Sequence, residues 1–464
     1  MKIQTEILQK ISPVTAWEYK IIPYATEGDI LLCYGSENGD STSKLQEIEV
    51  ITGENIRVTP LQETEIVKLL NQYYRKTSIH SSSKTLISDS DNLLLRLIDD
   101  AFRHYASDIH FECYEERCRI RFRMDGQLIE RYVIEKHNYP SIVNQIKIMA
   151  NLDISEKRLP QDGRIYYQSD KNKFDVRVSC IPTIYGEKIV LRLLTRHVDL
   201  LDLSHLGFSQ RQLEDYVKSV KKPHGLVLIS GPTGSGKSTT LYATLRLLNK
   251  EISNILTIED PVEYTIGGIN QVQLKEEIGL TFGSALRAFL RQDPDIIMLG
   301  EIRDTDTAQM AIRSALTGHL LLSTIHTNSA WGSISRLIDM NIHPYLISNT
   351  LVLTVAQRLV RLLCPHCKKK VVPGDELANI DLSGIDYYYQ PVGCEECYYT
   401  GYKGRKAIYE VVPIDGSLTE AIRDSQNNID NELRERGITS LKESGYKLFV
   451  DGATSMEEII PIIQ

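Results

Sequence analysis

No uninterrupted apolar run in this 464-residue chain approaches the roughly 20 residues a helix needs to cross a bilayer. The first residues, MKIQTEILQKISPV, also lack the apolar core of a secretory signal. The chain is therefore expected to stay in the cytoplasm and to meet a membrane only through a partner. A basic excess is missing too: 53 Lys and Arg stand against 61 Asp and Glu, for a formal net charge of −8. Nucleic acid is not an expected ligand, because gripping a phosphate backbone needs a basic surface. Residues 1–75 hold no catalytic signature and read as a small N-terminal module, with helical spacing through Ile66, Leu69, Leu70 and Tyr73. The serine-rich stretch 76–91 reads as a linker.

What is present centres on residues 225–249, GLVLISGPTGSGKSTTLYATLRLLN. A short apolar strand leads into a glycine-rich turn, and a run of helix formers follows, which is the setting the G-x-x-x-x-G-K-S pattern requires. Consecutive N–H groups of such a loop form an anion nest, and the helix adds its positive end. The nucleotide-binding candidates are Gly231, Pro232, Thr233, Gly234, Ser235, Gly236, Lys237, Ser238 and Thr239. Lys237 is expected to reach the outer phosphates of ATP, and the Ser238 hydroxyl to ligate Mg²⁺.

Alternating strands and helices over 223–360 predict a parallel sheet. The strand at 255–258 is followed by Glu259, Asp260 and Glu263, at the carboxyl end where open α/β sheets bind ligands. The strand at 296–299 ends in Gly300-Glu301, so Glu301 is expected to act on the metal through a water. His319 and His326 flank a third strand at 320–325 and are candidate γ-phosphate sensors.

Upstream, residues 92–200 mix helices near 92–105 and 140–151 with strands at 106–112, 118–124, 127–134, 173–179 and 188–194, a compact α+β domain. Arg119, Arg121, Arg123, Arg177 and Arg192 lie on strands, and Arg164 follows a turn in RLPQDGR. Singly, each reads as part of a solvated charged face. A P-loop site gains about 10³–10⁵ in rate from an arginine that neutralises transition-state charge. No arginine follows Lys237 within its own loop, so Arg164, Arg177 or Arg192 is expected to act in cis or from a neighbouring subunit. Residues 201–222 read as a hinge into the P-loop domain.

Cysteine divides into two groups. Cys33, Cys113, Cys118 and Cys180 are scattered and read as reduced, packed thiols. Cys364 and Cys367, with Cys394 and Cys397, form two C-x-x-C knuckles within 361–408, matching the four thiolates of a structural Zn²⁺ site. Disulfides are the alternative, disfavoured in a reducing compartment, and His366 is a spare ligand. Residues 409–464 read as helical, with a capping box at Thr454-Ser455 and Glu458 opening the last helix.

Together ASDIHFE (106–112), RLPQDGR (158–164), GPTGSGKST (231–239), LTIEDPVEY (256–264), LRQDPDIIMLGEIRD (290–304), TGHLLLSTIHTN (317–328) and the two cysteine knuckles resemble the ATPases that drive bacterial type II secretion and type IV pilus assembly. The resemblance covers about residues 92–464. It implies an α/β fold: a RecA-like P-loop NTPase domain after a smaller α+β, PAS-like domain, with a tetracysteine zinc insertion. It further implies a homo-hexameric ring at the cytoplasmic face of the inner membrane, with ATP at the domain junction and arginines supplied by the N-terminal domain. By motif, Glu263 resembles the base for the attacking water, Glu301 the Walker B glutamate, and His319 and His326 the histidine box. The implied partners are an inner-membrane platform protein and a membrane-anchored docking protein. Retraction motors and conjugation-type export ATPases are similar in core but lack the cysteine insertion. The alternatives of another class are a non-hydrolysing nucleotide-binding scaffold and a DNA translocase.

Overall fold

Strict alternation of apolar and arginine residues over Cys118–Met124 (β5) buries Cys118, Ile120, Phe122 and Met124 on one face. In the computed structural model, the described residues are all but 1–2, 4, 9, 12, 29, 37–43, 75–92, 169–172, 195–201, 373–385, 427 and 464. The linker expected over 76–91 lies outside them. The chain folds into two compact units, residues 1–167, 176–192 and 392–400 in one, and 168–175, 193–391 and 401–464 in the other.

The first unit begins with a three-stranded sheet, in which β1 (Ile21–Glu27) pairs antiparallel and β3 (Asn55–Leu61) parallel to β2 (Ile30–Ser36). Helix α1 (Glu63–Tyr73) buries Ile66 and Leu70 in the core beside it, as their spacing requires. A second sheet of the same unit takes the order β6-β5-β4-β9-β8-β7. Its remaining strands are β4 (Asp108–Cys113), β6 (Gln127–Ile134), β7 (Gln161–Gln168), β8 (Lys173–Thr183) and β9 (Gly186–Leu194). Asp125 and Gly126, both at positive φ, make the tight β5–β6 turn. Helices α2 (Leu93–Arg103) and α3 (Tyr139–Met149) belong to this unit, and α2 buries Leu94, Leu97, Ile98 and Ala101.

The arginine face of β5 is not simply solvated. Register places Asp108, His110 and Glu112 of β4 opposite Arg123, Arg121 and Arg119. Glu112, with its side chain only 4 % exposed, receives Arg119 Nε at 2.9 Å, Arg121 Nη2 at 2.6 Å and Lys188 Nζ at 3.4 Å. Opposite charges directly across an antiparallel pair stabilise the sheet, so these guanidinium groups serve the fold. Arg164 does not follow a turn: it stands within β7, next to Gly163, where a Cβ would lie 2.7 Å from the carbonyl oxygen of Ala150, the residue after helix α3.

The second unit is organised by a seven-stranded sheet, order β12-β11-β13-β14-β10-β15-β18. The strands are β10 (Gly225–Ser230), β11 (Ile255–Glu259), β12 (Asn270–Gln273), β13 (Ile296–Leu299), β14 (Leu320–Ile325), β15 (Leu351–Leu363) and β18 (Tyr402–Pro413), while β16 (Lys369–Val371) and β17 (Tyr388–Gln390) form a separate antiparallel pair. The first six run parallel, and β18 closes the edge antiparallel to β15. Strands β10 and β14 are buried at every position, which explains their continuous apolar runs.

Three readings of the sequence change here. Within 201–222, residues Gln210–Val220 form helix α4, started by a Ser209–Gln212 capping box and anchored by buried Tyr216 and Val220. The stretch from 409 is not helical at its start, since β18 runs to Pro413; its partner β15 supplies the ladder that overrides local propensity. Glu458 makes an ion pair with Arg361, Nη2 to Oε1 at 2.6 Å, in place of the capping box expected with Thr454 and Ser455.

Candidate active site and metal centre

Strand β10 ends at Ser230, and the loop from Gly231 turns into helix α5 (Lys237–Leu248). Gly231 and Gly236 both take positive φ, and a Cβ on Gly231 would lie 2.5 Å from the Gln357 carbonyl oxygen. The loop is braced from β15: Gln357 Nε2 donates to the Ser235 carbonyl at 2.9 Å, and Thr240 Oγ1 donates to Gln357 Oε1 at 2.9 Å. Lys237 Nζ donates to the carbonyls of Gly231 and Pro232 at 2.8 and 3.1 Å. Burial pushes this ammonium below the ordinary lysine pKa; the Glu301 charge opposes that shift and the Arg358 guanidinium adds to it. Ser235 Oγ is buried without a hydrogen-bond partner, and Ser238 is exposed at the first turn of α5. An orphaned hydroxyl, an ammonium resting on neutral carbonyls and the N–H groups of a helix start fit a triphosphate with Mg²⁺ on Ser238.

The acids at the strand ends divide by role. Glu259 ends β11 almost fully buried and accepts from Thr257 Oγ1 at 2.5 Å, Gln271 Nε2 at 3.1 Å and the Tyr242 hydroxyl. Tyr242 in turn accepts from the Glu263 backbone N–H at 3.2 Å, tying the acidic loop to α5. Burial pushes the Tyr242 phenol up and the Glu259 charge adds to it, which keeps the hydroxyl a donor. Glu301, past the end of β13, meets His326 Nε2 at 3.2 Å and pairs with Arg303, whose guanidinium also lies 3.6 Å from Asp260.

His319 is not gathered with these groups. Its carbonyl accepts from Gly225 N–H at 3.1 Å, at the amino end of β10, and its Nδ1 lies 2.9 Å from the Ser314 carbonyl oxygen. The six residues of β10 separate that end from the P-loop, about 20 Å of strand. Two histidines bracketing a parallel strand necessarily occupy opposite edges of the sheet, and only His326 is on the phosphate side. Arg164, Arg177 and Arg192 stand on β7, β8 and β9 of the first unit, where Arg192 Nε donates to Asp108 Oδ1 at 2.9 Å.

Sequence reasoning missed Tyr242, Arg303, Asn328, Gln357 and Arg358. The available signal for Gln357 and Arg358 was two consecutive polar residues within the largely apolar strand β15.

The Sγ atoms of Cys364, Cys367, Cys394 and Cys397 all lie within 4.8 Å of one another. The Cys394–Cys397 separation of 3.8 Å equals the edge of a tetrahedron with 2.3 Å Zn–S arms, about 3.8 Å, and is far from a covalent S–S bond. The four thiols therefore fit a structural zinc ion. Around the first knuckle, the N–H groups of Cys367 and Lys368 turn back onto the Cys364 carbonyl at 3.3 and 3.0 Å.

A parallel sheet whose P-loop strand is flanked by an acid-and-histidine pair defines a RecA-like P-loop ATPase. The profile described as "Type II/IV secretion system protein" matches residues 87–461, and the chain belongs to that family. It is 40% identical to the type IV pilus assembly ATPase PilB of Myxococcus xanthus over 99% of this chain and 87% of that protein. It is 45% identical to the type II secretion system protein E of Dickeya dadantii over 84% and 80% respectively. Among solved structures, the Legionella pneumophila ATPase DotB aligns with a TM-score of 0.61 at 20% identity, covering 81% of this chain and 96% of DotB. At that identity the likeness concerns the fold. The chain is an ATP-hydrolysing enzyme of the secretion ATPase family.

Proposed function

We propose that this chain is the motor subunit that powers assembly of a type II secretion pseudopilus or extension of a type IV pilus, acting as a homo-hexameric ring. The observation carrying it is the convergence of Lys237, Glu301 and His326 at the carboxyl ends of neighbouring parallel strands. In this reading Lys237 and the loop 231–239 hold ATP, Ser238 ligates Mg²⁺, and Glu301 acts on the metal through a water. Glu263 positions or deprotonates the attacking water, while His326 reads the γ-phosphate. An arginine among Arg164, Arg177 and Arg192 closes the site from a neighbouring subunit. Zinc on the four cysteines is structural: it fixes the two knuckles and adds no chemical step. The presence of that cluster favours an assembly motor over a retraction motor, whose relatives lack the insertion. The ring works at the cytoplasmic face of the inner membrane, on a platform protein and through a docking protein. No helix among the described residues is long and apolar enough to cross a membrane.

Phosphate release by the hexamer tests this. Wild type should turn over at least about 10²-fold faster than Lys237→Ala or Glu301→Gln, and Arg164→Ala, Arg177→Ala or Arg192→Ala should lower kcat with nucleotide binding retained. Equal rates for wild type and Lys237→Ala would favour the non-hydrolysing scaffold.

A further inference from the structure

Past the register pair Ser230–Ala356, strand β15 continues alongside the P-loop and brings two consecutive polar residues to it. Gln357 braces the loop backbone through the Ser235 carbonyl. Arg358 takes the other side: its Nη1 lies 3.3 Å from where a Cβ on Gly231 would stand. Lys237 Nζ rests on the carbonyl of that same glycine. The ammonium and the guanidinium thus flank one residue at the start of the loop.

Two like charges brought together without a carboxylate in contact are costly; Glu301 and Glu410 offset the charges of Lys237 and Arg358 only from a distance. Arg358 makes no ion pair among the described residues. Its hydrogen bonds go to neutral acceptors: Nη1 to the Gln357 carbonyl at 3.1 Å, and Nη2 to the Asn328 carbonyl and Oδ1 at 3.1 and 3.2 Å. Of the five N–H donors of a guanidinium, these three bonds leave two, one of them on Nη1. Burial depresses the Arg358 pKa and the more distant Glu410 charge only partly opposes it, unlike the net rise a carboxylate partner in contact would give. Asn328 fixes the orientation of the plane, so the open donors are held in place before a ligand arrives. An anion with several oxygens, seated against Lys237, can accept from those open donors.

We infer that Arg358 is a phosphate-contacting residue acting within its own chain, donating to the terminal phosphate of ATP beside Lys237 while Asn328 holds its guanidinium in position. The inference rests on the reading of residues 231–239 as the ATP site. It adds an arginine of the ATPase domain itself to those expected from outside, and it assigns Arg358 to the distinction between triphosphate and diphosphate. The Lys237 end of the loop receives the outer phosphates, so loss of the γ-phosphate removes the oxygen Arg358 holds.

The test compares binding of ATPγS and ADP with kcat in wild type, Arg358→Ala, Arg358→Lys, Asn328→Ala and Lys237→Ala, using thermal melts and zinc content to check folding. Arg358→Ala should weaken ATPγS about tenfold or more, leave ADP within about twofold, and lower kcat about 10²-fold. Asn328→Ala should show the same selectivity at smaller amplitude, and Arg358→Lys should recover part of the affinity through its charge. Loss of both nucleotides equally, or of neither, overturns the inference. If Arg358→Ala fails to fold, Arg358→Lys decides: unchanged ATPγS affinity and kcat overturn it, because a lysine cannot reproduce the fork. If Lys237→Ala binds ATPγS as wild type does, the nucleotide site itself is misplaced and the inference falls with it. If Lys237→Ala loses binding while every Arg358 variant keeps it, only the role of Arg358 is refuted.

Discussion

The Tyr242 hydroxyl donates to the buried Glu259 carboxylate and accepts from the backbone N–H of Glu263 at 3.2 Å. Through this one side chain, the helix that begins at Lys237 holds the acidic loop at the end of β11. Tyr242→Phe removes both bonds with little change in shape. A buried carboxylate losing a donor costs about 1–3 kcal/mol, so the urea midpoint should fall. Release of the Glu263 segment should lower kcat about tenfold with KM for ATP within about twofold. A kcat equal to wild type would show that this tie does not orient the acidic loop.

His326 is joined to Glu301 at 3.2 Å, whereas His319 is at the far edge of the sheet. His326→Ala should reduce phosphate release about 10²-fold. His319→Ala should leave kcat within about threefold and act through stability, since its ring nitrogen serves the Ser314 carbonyl and Thr317. Similar kcat losses in the two variants would contradict the division of the pair.

Burial alone would raise the pKa of Glu112, but hydrogen bonds from Arg121 and Arg119 reverse the shift and hold it at about 2. A folded-state value below the unfolded one contributes stability that is complete above about pH 4.5 and is lost as pH falls toward 2. The contribution is on the order of 2–3 kcal/mol. Glu112→Gln should therefore lower stability at pH 7, and the gap from wild type in denaturant melts should narrow as pH drops from about 4.5. A gap that stays constant over that range would refute the assignment.

Metal analysis should give about one zinc per chain. Cys394→Ser should reduce zinc content and the melting temperature together, and a chelator should reproduce the loss in wild type but not in the variant. Metal-free protein that melts and hydrolyses ATP as the loaded form does would show that the four thiols are not a zinc site.

The P-loop, the strands at 296–299 and 320–325 and the two cysteine knuckles were legible because each is a local pattern: an apolar run, a glycine spacing, a repeated C-x-x-C. The roles of Gln357, Arg358 and Asn328 were not, because they depend on which strand lies beside β10 and in what register. No local periodicity encodes the pairing of Ser230 with Ala356. His319 and His326 show the same limit from the other side. Their sequence spacing marks a strand, but only the direction of that strand in the sheet tells which of them faces phosphate. The ion pairs of β5 likewise needed the opposing acids of β4 to become visible.

Strand β15 carries Gln357 and Arg358 against the nucleotide loop and, directly past its end at Leu363, delivers Cys364, the first thiol of the four-cysteine cluster. The ladder to β18 is regular from Leu353–Pro413 to Arg361–Arg405 and shifts register before Leu363–Tyr402. One strand thus sets both the wall of the nucleotide loop and the starting point of the first cysteine knuckle, so a shift of register in β15 would disturb the two together.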